Sequence, residues 1–269
     1  MKMAIPEQGE RRIVGINRIG LMTLIRKEIE RFLKVYTQTL IAPAVTTLLF
    51  YTVFALAFGG LERKMEDGLS YLSFLAPGLV MMAMAQNAFS NTSSSIVISK
   101  IQGNIVDLLM PPLSSLEILI GYLFGSVFRG LVVGAATLLT LSLFVTLPYH
   151  SIAAILLFAV LGTWMMGALG IVAGIWSDRF DHIAAFTNFI VTPLTFLSGT
   201  FYRIGILPEP WQTLAHYNPF FHMIDGFRYG FIGHADGSIL LGMTLLLVIN
   251  TGITLLAYRM FETGYKIKG

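Results

Sequence analysis

The chain has 269 residues, of which 55% are hydrophobic and 12% are charged, and its mean hydropathy is +0.73. Soluble domains carry roughly 25% charged residues, so a water-soluble fold is excluded and lipid must cover part of the apolar surface. The absence of cysteine excludes disulfides, thiolate metal sites and cysteine nucleophiles, and the net charge of +3 is no evidence for nucleic acid as a partner.

The segment 11–38 is predicted to be a cytoplasmic amphipathic helix, regular from Ile16 to Gln38. The first 34 residues carry eight Lys and Arg and four Asp and Glu, which is too charged for a signal peptide. At about 100° per residue, one side collects the apolar residues Ile19, Met22, Ile25, Ile29, Phe32, Leu33 and Tyr36. The other side collects Lys27, Glu30, Arg31 and Lys34. A basic amphipathic helix just before a span fits the inner membrane surface, either as an anchor alone or as an anchor that also contacts a partner.

Runs without Asp, Glu, Lys or Arg are long enough for six transmembrane helices, since each needs about 20 mostly apolar residues. The predicted spans are about 39–60, 71–98, 118–146, 152–176, 184–202 and 238–258. The charge-free run from Gly130 to Ser177 is divided into two spans near Pro148. The predicted fold class is therefore an all-α integral membrane protein, with a single transmembrane domain over residues 1–269.

The distribution of Lys and Arg orients these spans. Six spans place both termini on one side, and that side carries most of the 18 Lys and Arg residues. Because the positive side faces the cytoplasm, both termini are predicted to be cytoplasmic. The segment 203–236, between spans five and six, then lies on the outer side.

The loop 99–117, between spans two and three, is unusually apolar for a cytoplasmic loop. The apolar residues that are expected to meet water are Ile105, Val106, Leu108, Leu109 and Met110. Asn104 is a candidate N-cap for a short helix, and Pro111 with Pro112 would end it. An exposed apolar face indicates a protein partner or a helix lying in the lipid interface, and the residues alone do not separate the two.

Polar residues crowd the cytoplasmic half of span two. Asn87, Asn91 and Ser94 stand at i, i+4 and i+7 on one stripe, and Gln86 lies beside it. Polar side chains are costly in hydrocarbon, so the stripe should face another helix or a wet cavity. Interhelical hydrogen bonding and a substrate pathway both fit this pattern.

Arg129 is the one charged residue inside a predicted span. An intramembrane charge is a candidate functional residue. Arg129 is expected to pair with a carboxylate, attract a substrate anion or reach towards the interface, and no acidic residue of the other spans is an obvious partner. Glycines at GxxxG spacing, such as Gly170 and Gly174, predict close helix packing.

The outer segment 203–236 is too polar for a span and too apolar for an ordinary loop. Leu207 to Asn218 is predicted to form a short helix opened by prolines, with Trp211 as an interface aromatic residue. Pro219 separates it from a second short helix that runs through Arg228. Two half-length helices of this kind predict a re-entrant pair that enters the outer leaflet and returns.

No complete active site or metal site stands in the sequence. Neither the phosphate-binding motif GxxxxGK[ST] nor HExxH is present. The histidines lack HxxxH spacing, and His216, His222 and His234 are expected to be interfacial polar residues. We therefore expect no catalytic residue and no metal on this chain.

The chain resembles the membrane subunits of ABC type-2 exporters, in particular the compact bacterial multidrug-type branch. The matching residues near the C terminus are Leu207, Pro208, Trp211, Asn218, Pro219, Phe220 and Arg228. The stretch LLMPPLSSLEILIGYLFGSVFRG, from Leu108 to Gly130, is also similar. The resemblance covers the entry helix, the spans and the outer pair, which is nearly the whole chain.

This resemblance implies a dimer in the bacterial inner membrane, served by two copies of a separate ABC ATPase subunit that bind ATP and Mg. The entry helix and the loop 99–117 would dock on those ATPases. The implied coupling residues are Arg26, Lys27, Glu28, Gly103, Asn104, Ile105, Asp107, Leu108, Leu109 and Pro111. Trp211, Asn218, Pro219, Phe220 and Arg228 would shape an outer gate, in which Arg228 holds the two short helices together or meets lipid headgroups.

The function that the resemblance implies is outward transport of a hydrophobic or amphipathic, drug-like or lipid-like substrate by alternating access. The chain itself would not be an enzyme, because ATP hydrolysis belongs to the partner. Two alternatives stay open: export of a lipid-linked saccharide or polysaccharide by the same kind of machine, and an ATPase-independent carrier or lipid scramblase. The carrier predicts ionisable groups at mid-membrane and often internal repeats, and only Arg129 meets that expectation.

Overall fold

The structure, a computed structural model, describes residues 15–57 and 70–267. The beginning of the predicted segment 11–38 and the end of the predicted span 39–60 lie outside the described residues. The α-helices are α1 Arg18–Leu33, α2 Ala42–Ala57, α3 Tyr71–Ile101, α4 Ile105–Leu109, α5 Ser115–Ser142, α6 Ile152–Trp176, α7 Phe180–Phe186, α8 Thr192–Phe196, α9 Glu209–His216, α10 Pro219–Ile232 and α11 Ile239–Thr263. Two π-helical segments, Thr37–Ile41 and Thr187–Val191, and a 3-10 turn at Ile204–Ile206 complete the helical structure of these ranges.

Five helical stretches in the described ranges are long and apolar enough to cross a membrane, and they are Thr37–Ala57, Tyr71–Ile101, Ser115–Ser142, Ile152–Trp176 and Ile239–Thr263. They correspond to the predicted spans one, two, three, four and six. The all-helical membrane class is therefore confirmed. Serine caps mark the starts of four of them: the side chains of Ser70, Ser114, Ser151 and Ser238 each accept a backbone N–H of the helix that follows.

The predicted fifth span, 184–202, is not confirmed. The helical stretch there runs from Phe180 to Phe196 in pieces of seven, five and five residues, with the π-helical segment in the middle. Pro193 has no N–H, and its ring crowds the preceding turn, which is the physical reason for a break at this point. The other π-helical segment, Thr37–Ile41, likewise comes just before a proline, Pro43.

The entry helix differs from its prediction in length and in the face that it buries. It ends at Leu33 rather than continuing to Gln38. Its buried residues are Leu24, Glu28 and Phe32, whereas Ile19 and Met22 of the predicted apolar side are 82% and 65% exposed. The start of the predicted apolar side therefore points away from the protein, as an interfacial anchor requires, whereas Phe32 of that side is buried and α1 packs against α5.

The core lies between α3, α6 and α10, while α2 and α11 lie at its edge and add Tyr51, Ala55 and Leu246 to it. In an apolar stretch of 18 residues in α3 and in α6, 72% and 61% of the residues are buried. In the corresponding stretches that include α2 and α11, only 22% and 17% are buried. Close approach of α3 and α6 depends on glycine: a Cβ at Gly170 would stand 2.5 Å from the backbone oxygen of Phe89. This agrees with the close packing expected from the GxxxG spacing.

The re-entrant outer pair is not confirmed, because α10 is an interior helix. All of its residues except Pro219, Tyr229 and Ile232 are buried, and it packs against α3, α6 and α11. Only the preceding short helix α9 is largely exposed, including Trp211 at 55%. The apolar composition of α10, which suggested contact with lipid, instead serves contact with three neighbouring helices.

Candidate functional site

Every member of the predicted polar stripe of α3 has a partner on another helix. Asn87 Oδ1 accepts a hydrogen bond from Arg129 of α5 at 2.9 Å. One turn further, Arg31 of α1 donates to the backbone oxygen and to Oδ1 of Asn91 at 2.6 and 2.9 Å, and to Ser94 Oγ at 3.3 Å. The stripe therefore joins α3 to two arginines, one on the entry helix and one on a span.

Glu28, predicted to contact a partner, lies inside the protein. Its exposed fraction is 0%, and its carboxylate accepts hydrogen bonds from Ser95 Oγ at 2.7 Å and from Arg31 Nη2 at 3.1 Å. It therefore joins α1 to α3 and cannot present its side chain to a docked subunit. Arg26 and Lys27, its neighbours, are exposed.

Arg129 has an amide as its partner rather than a carboxylate. Among the described residues no ion pair joins it to an acidic side chain, and its buried Nε has no hydrogen-bond partner there. The residue is only 8% exposed. The Arg129 guanidinium is positively charged, and the described residues provide no counter-ion for it.

The short helix α4 in the loop 99–117 is divided into a buried and an exposed side. Ile105 and Leu108 are buried in an apolar cluster with residues of α1, α3 and α5. Val106 and Met110 are 52% and 72% exposed. The prediction that all these apolar residues meet water is thus wrong for Ile105 and Leu108, because a five-residue helix is too short to show its periodicity in sequence.

The polar residues of this loop also have defined places. Gly103 adopts a φ of +75°, which favours glycine. Asn104 occupies the N-cap position of α4, but its side chain bonds Gln102 Oε1 at 3.3 Å instead of capping the helix. Asp107 and Pro111 are exposed, and the helix ends before the two prolines as predicted.

Glu117 ties the entry helix to the end of this loop. Its carboxylate accepts hydrogen bonds from the backbone N–H of Asn17 and from the backbone N–H and Oγ of Ser114, the latter two at 2.7 and 2.9 Å. Asn17 Nδ2 also donates to the backbone oxygen of Pro112 at 3.2 Å. The start of α1, the end of the loop and the first turn of α5 are thus one connected unit. The sequence motif Ser-x-x-Glu predicts only the local capping box, not the contact with Asn17.

A second junction lies at the other end of the loop, where α3 meets the C-terminal end of α6. Lys100 Nζ donates to the backbone oxygens of Ile175 and Ser177 at 2.8 and 2.7 Å and to the carboxylate of Asp178 at 3.0 Å. Lys266 Nζ reaches the same carboxylate at 3.1 Å. The hydrogen bonds from Lys100 and then from Lys266 lower the pKa of the Asp178 carboxyl.

The residues Asn218, Pro219 and Phe220 build the start of α10. Asn218 Oδ1 accepts from the backbone N–H of Phe220 at 3.0 Å as an N-cap, and its Nδ2 donates to the backbone oxygen of Leu194 at 2.7 Å. Pro219 takes the first helical position, where its missing N–H is harmless. The motif is therefore a helix start that is fixed to α8, within the predicted fifth span.

Arg228 is buried, with 1% exposure, so contact with lipid headgroups does not occur. Its Nη2 donates to the backbone oxygen of Gly199 at 2.8 Å, and its Nε donates to that of Phe74 at 3.2 Å. Gly199 has a φ of +69° in a turn after α8. Arg228 thus holds α10 to α3 and to this turn, rather than to the short helix α9.

Asp225 and His222 connect α10 to the segments on either side of it, and His222, expected to be an interfacial residue, is buried. Asp225 accepts hydrogen bonds from the backbone N–H groups of Asp236 and Gly237 at 3.0 and 2.9 Å. His222 Nε2 lies 2.8 Å from the backbone oxygen of His216. No group of three or more possible metal ligands occurs among the residues that the structure describes.

Comparison with known proteins gives one consistent result. The family model for ABC-2 type transporters matches residues 20–232. The chain is 36% identical over 246 residues to the inner membrane transport permease YadH of Escherichia coli K12, covering 91% of this chain and 96% of that protein. It is 25% identical over 199 residues to nodulation protein J of Sinorhizobium fredii, covering 73% and 76% of the two chains. Nodulation protein J of Bradyrhizobium diazoefficiens is 26% identical over 182 residues, with 65% and 68% covered.

Proposed function

Because the chain belongs to the ABC-2 type transporter family, we propose that it is the membrane subunit of an ATP-driven exporter. It is a multi-pass permease of the inner membrane and a non-catalytic transport component. ATP and Mg would bind to a separate ATPase subunit, two copies of which serve two copies of this permease. Both termini and the loop 99–117 would lie in the cytoplasm.

The observation that carries this proposal is the division of α4 into two sides. Ile105 and Leu108 fix the short helix to the membrane part, while Val106 and Met110 remain largely exposed. Exposed apolar groups beside charged and polar ones are typical of a protein-binding surface. We define this docking surface by Asn104, Val106, Asp107, Met110 and Pro111.

Two junctions would carry a movement of the docking surface into the membrane. Glu117 connects the end of the loop to Asn17 at the start of α1 and to α5. Lys100 connects its beginning to the C-terminal end of α6. An ATPase that displaces α4 would therefore move α1, α3, α5 and α6 together. The exposed Lys27 on α1 would favour acidic groups on the partner, whereas Arg26 beside it already pairs with Glu30 at 2.6 Å.

The transport step would be alternating access between two copies of the chain. The mostly exposed faces of α2 and α11 offer surface both for lipid and for a second subunit. On the outer side, α9 and α10 with Trp211, Asn218, Pro219, Phe220 and Arg228 would form the gate. Arg228 positions α10 from the interior. An Arg228→Ala variant that folds and exports normally would contradict a role of Arg228 in the gate.

The substrate class that we propose is hydrophobic or amphipathic, drug-like or lipid-like. The test is reconstitution of the chain with its ATPase in liposomes that contain a fluorescent amphiphile. ATP-dependent removal of the probe from the leaflet that faces the ATPase is the expected result. Movement of the same probe without ATP and without the ATPase would instead identify an autonomous carrier or scramblase.

A further inference from the structure

A polar crevice of about 260 Å³ opens between α3 and the stretch formed by the first π-helical segment and α2. Its polar lining consists of Gln38, Thr46, Thr47, Gln86 and Asn87. All five residues lie in helical stretches that are long and apolar enough to span a membrane. Polar walls at such a place should face protein or a wet cavity, and here they enclose open volume.

The crevice has a buried positive charge directly behind its wall. Asn87, which lines it, accepts the hydrogen bond of Arg129 at 2.9 Å. The nearby carboxylate of Glu28 is already engaged by Arg31 and Ser95. Of the two arginines, only Arg31 bonds this carboxylate, so the charge of Arg129 has no acidic partner among the described residues.

Such a charge is unusual for the interior of a membrane protein. A buried charge without a counter-ion is costly, and Arg129 has neither an ion pair nor a partner for its Nε among the described residues. A negative group in the crevice would lower that cost. The arginine therefore favours an anion at the wall that Asn87 and Gln86 form.

The remaining wall of the crevice is apolar, with Phe50, Leu79 and Met82. Its volume is below the roughly 300 Å³ at which pockets for complete drug-sized ligands begin. It therefore fits a headgroup and the first part of a chain, while the rest of the molecule stays in the bilayer. Gln38 lies in a π-helical segment, and such segments frequently occur at functional sites.

We propose that this crevice binds the headgroup of an anionic amphiphile, with a carboxylate or phosphate at Gln86 and Asn87 and its charge facing Arg129. This proposal deepens the proposed export function. Only the statement that the bound anion is cargo rests on that function, and the binding itself does not depend on it. The same chemistry occurs in an exported amphiphile and in a resident acidic phospholipid.

The test is a lipid titration of the purified full chain in detergent, followed by native mass spectrometry, which resolves single bound lipids. The probes are dioleoyl phosphatidic acid and dioleoylglycerol, which share their chains and differ in the charged phosphate. The wild-type protein should prefer the phosphatidic acid. Gln86→Asp, which places a negative charge in the crevice, and Arg129→Gln should each weaken that preference roughly tenfold, the effect of one hydrogen bond to a charged group.

The control variant is Gln212→Asp, which makes the same exchange on α9. It should keep the preference. Gln86 is only half-buried, so its variant remains available if Arg129→Gln fails to fold. An equal affinity of wild type for both probes, or an unchanged preference in Gln86→Asp, would overturn the proposal.

A second measurement separates the two sources of the ligand. The chain and its ATPase are placed in liposomes with a fluorescent phosphatidic acid, and ATP is added. Transfer of the probe between leaflets that stops in Gln86→Asp identifies the bound anion as cargo. Binding without transfer identifies a resident lipid. The titration needs neither ATP nor the ATPase, so failure of export and failure of the binding site are distinguishable.

Discussion

The guanidinium carbon of Arg228 lies 3.8 Å from the centre of the Phe74 ring, while Arg228 Nε donates to the backbone oxygen of the same residue at 3.2 Å. The two residues are 154 positions apart in the chain. The Arg228 side chain therefore contacts the first turn of α3 in two ways: its guanidinium lies over the Phe74 ring, and its Nε donates to the Phe74 backbone. A second donor of the guanidinium, Nη2, reaches the turn after α8.

Replacing Arg228 by methionine should destabilise the protein by about 2 kcal/mol, because buried hydrogen bonds are lost and acceptors are left unpaired. Thermal unfolding in detergent measures the change. Arg259→Met is the matched control, since Arg259 is exposed and surface substitutions stay within about 0.5 kcal/mol. Equal unfolding temperatures of the two variants would contradict the structural role of Arg228.

Glu117→Gln should loosen the junction between the entry helix and the loop. The amide keeps the shape of the side chain but can no longer accept three hydrogen bonds as an anion, and the loss of a cap costs about 1 kcal/mol. Limited proteolysis near Asn17 should become faster than in the wild type. The control is Glu262→Gln, because Glu262 is exposed on α11. Equal cleavage rates in Glu117→Gln and in the wild type would contradict the role of Glu117 in the junction.

Gly170→Ala should destabilise the packing of α3 on α6. The added Cβ would stand 2.5 Å from the backbone oxygen of Phe89 and 2.2 Å from Thr92 Oγ1. Overpacking of this kind costs about 1–3 kcal/mol. Gly252→Ala is the control because a Cβ there meets nothing within 4 Å. If both alanines are tolerated equally in thermal unfolding, the close approach of the two helices is not required.

The sequence predicts those features that depend on local composition. The span 152–176 coincides with α6, because an uninterrupted apolar run stands between Ser151 and Ser177. The stripe of Asn87, Asn91 and Ser94 is likewise visible as a helical spacing, and interhelical hydrogen bonding proves to be its structural role.

Other features depend on partners that are distant in the chain, and local patterns do not contain them. Glu28 is expected among the residues that contact the ATPase, yet it is buried and accepts a hydrogen bond from Ser95 of α3. Leu108 and Val106 differ in exposure because one side of α4 belongs to the apolar cluster with residues of α1, α3 and α5. Phe220 and Arg228 are expected in a re-entrant pair that enters the outer leaflet, whereas α10 is enclosed by three neighbouring helices.

The junction at Asp178 predicts a pH dependence. The bonds from Lys100 and Lys266 hold the pKa of its carboxyl below the ordinary value of 3.8. A carboxyl whose pKa is lower in the folded state adds stability above the unfolded pKa and loses it as the pH falls through the folded pKa. The stability difference between wild type and Asp178→Asn should thus be constant above about pH 5 and shrink below about pH 4. Chemical unfolding over this range tests it, and a difference that grows towards acid would have the wrong sign.

The most direct test of the central claim, coupling to an ATPase through the docking surface, is co-purification of the chain from its host in mild detergent. The wild type should retain a P-loop ATPase in equal number. Val106→Asp combined with Met110→Asp should lose it while the permease stays folded. Leu108→Asp should instead destabilise the permease, and Leu143→Asp, an exposed leucine at the other end of α5, should keep the ATPase. A wild-type permease without an ATPase, or full retention by the Val106 and Met110 variant, would contradict the account.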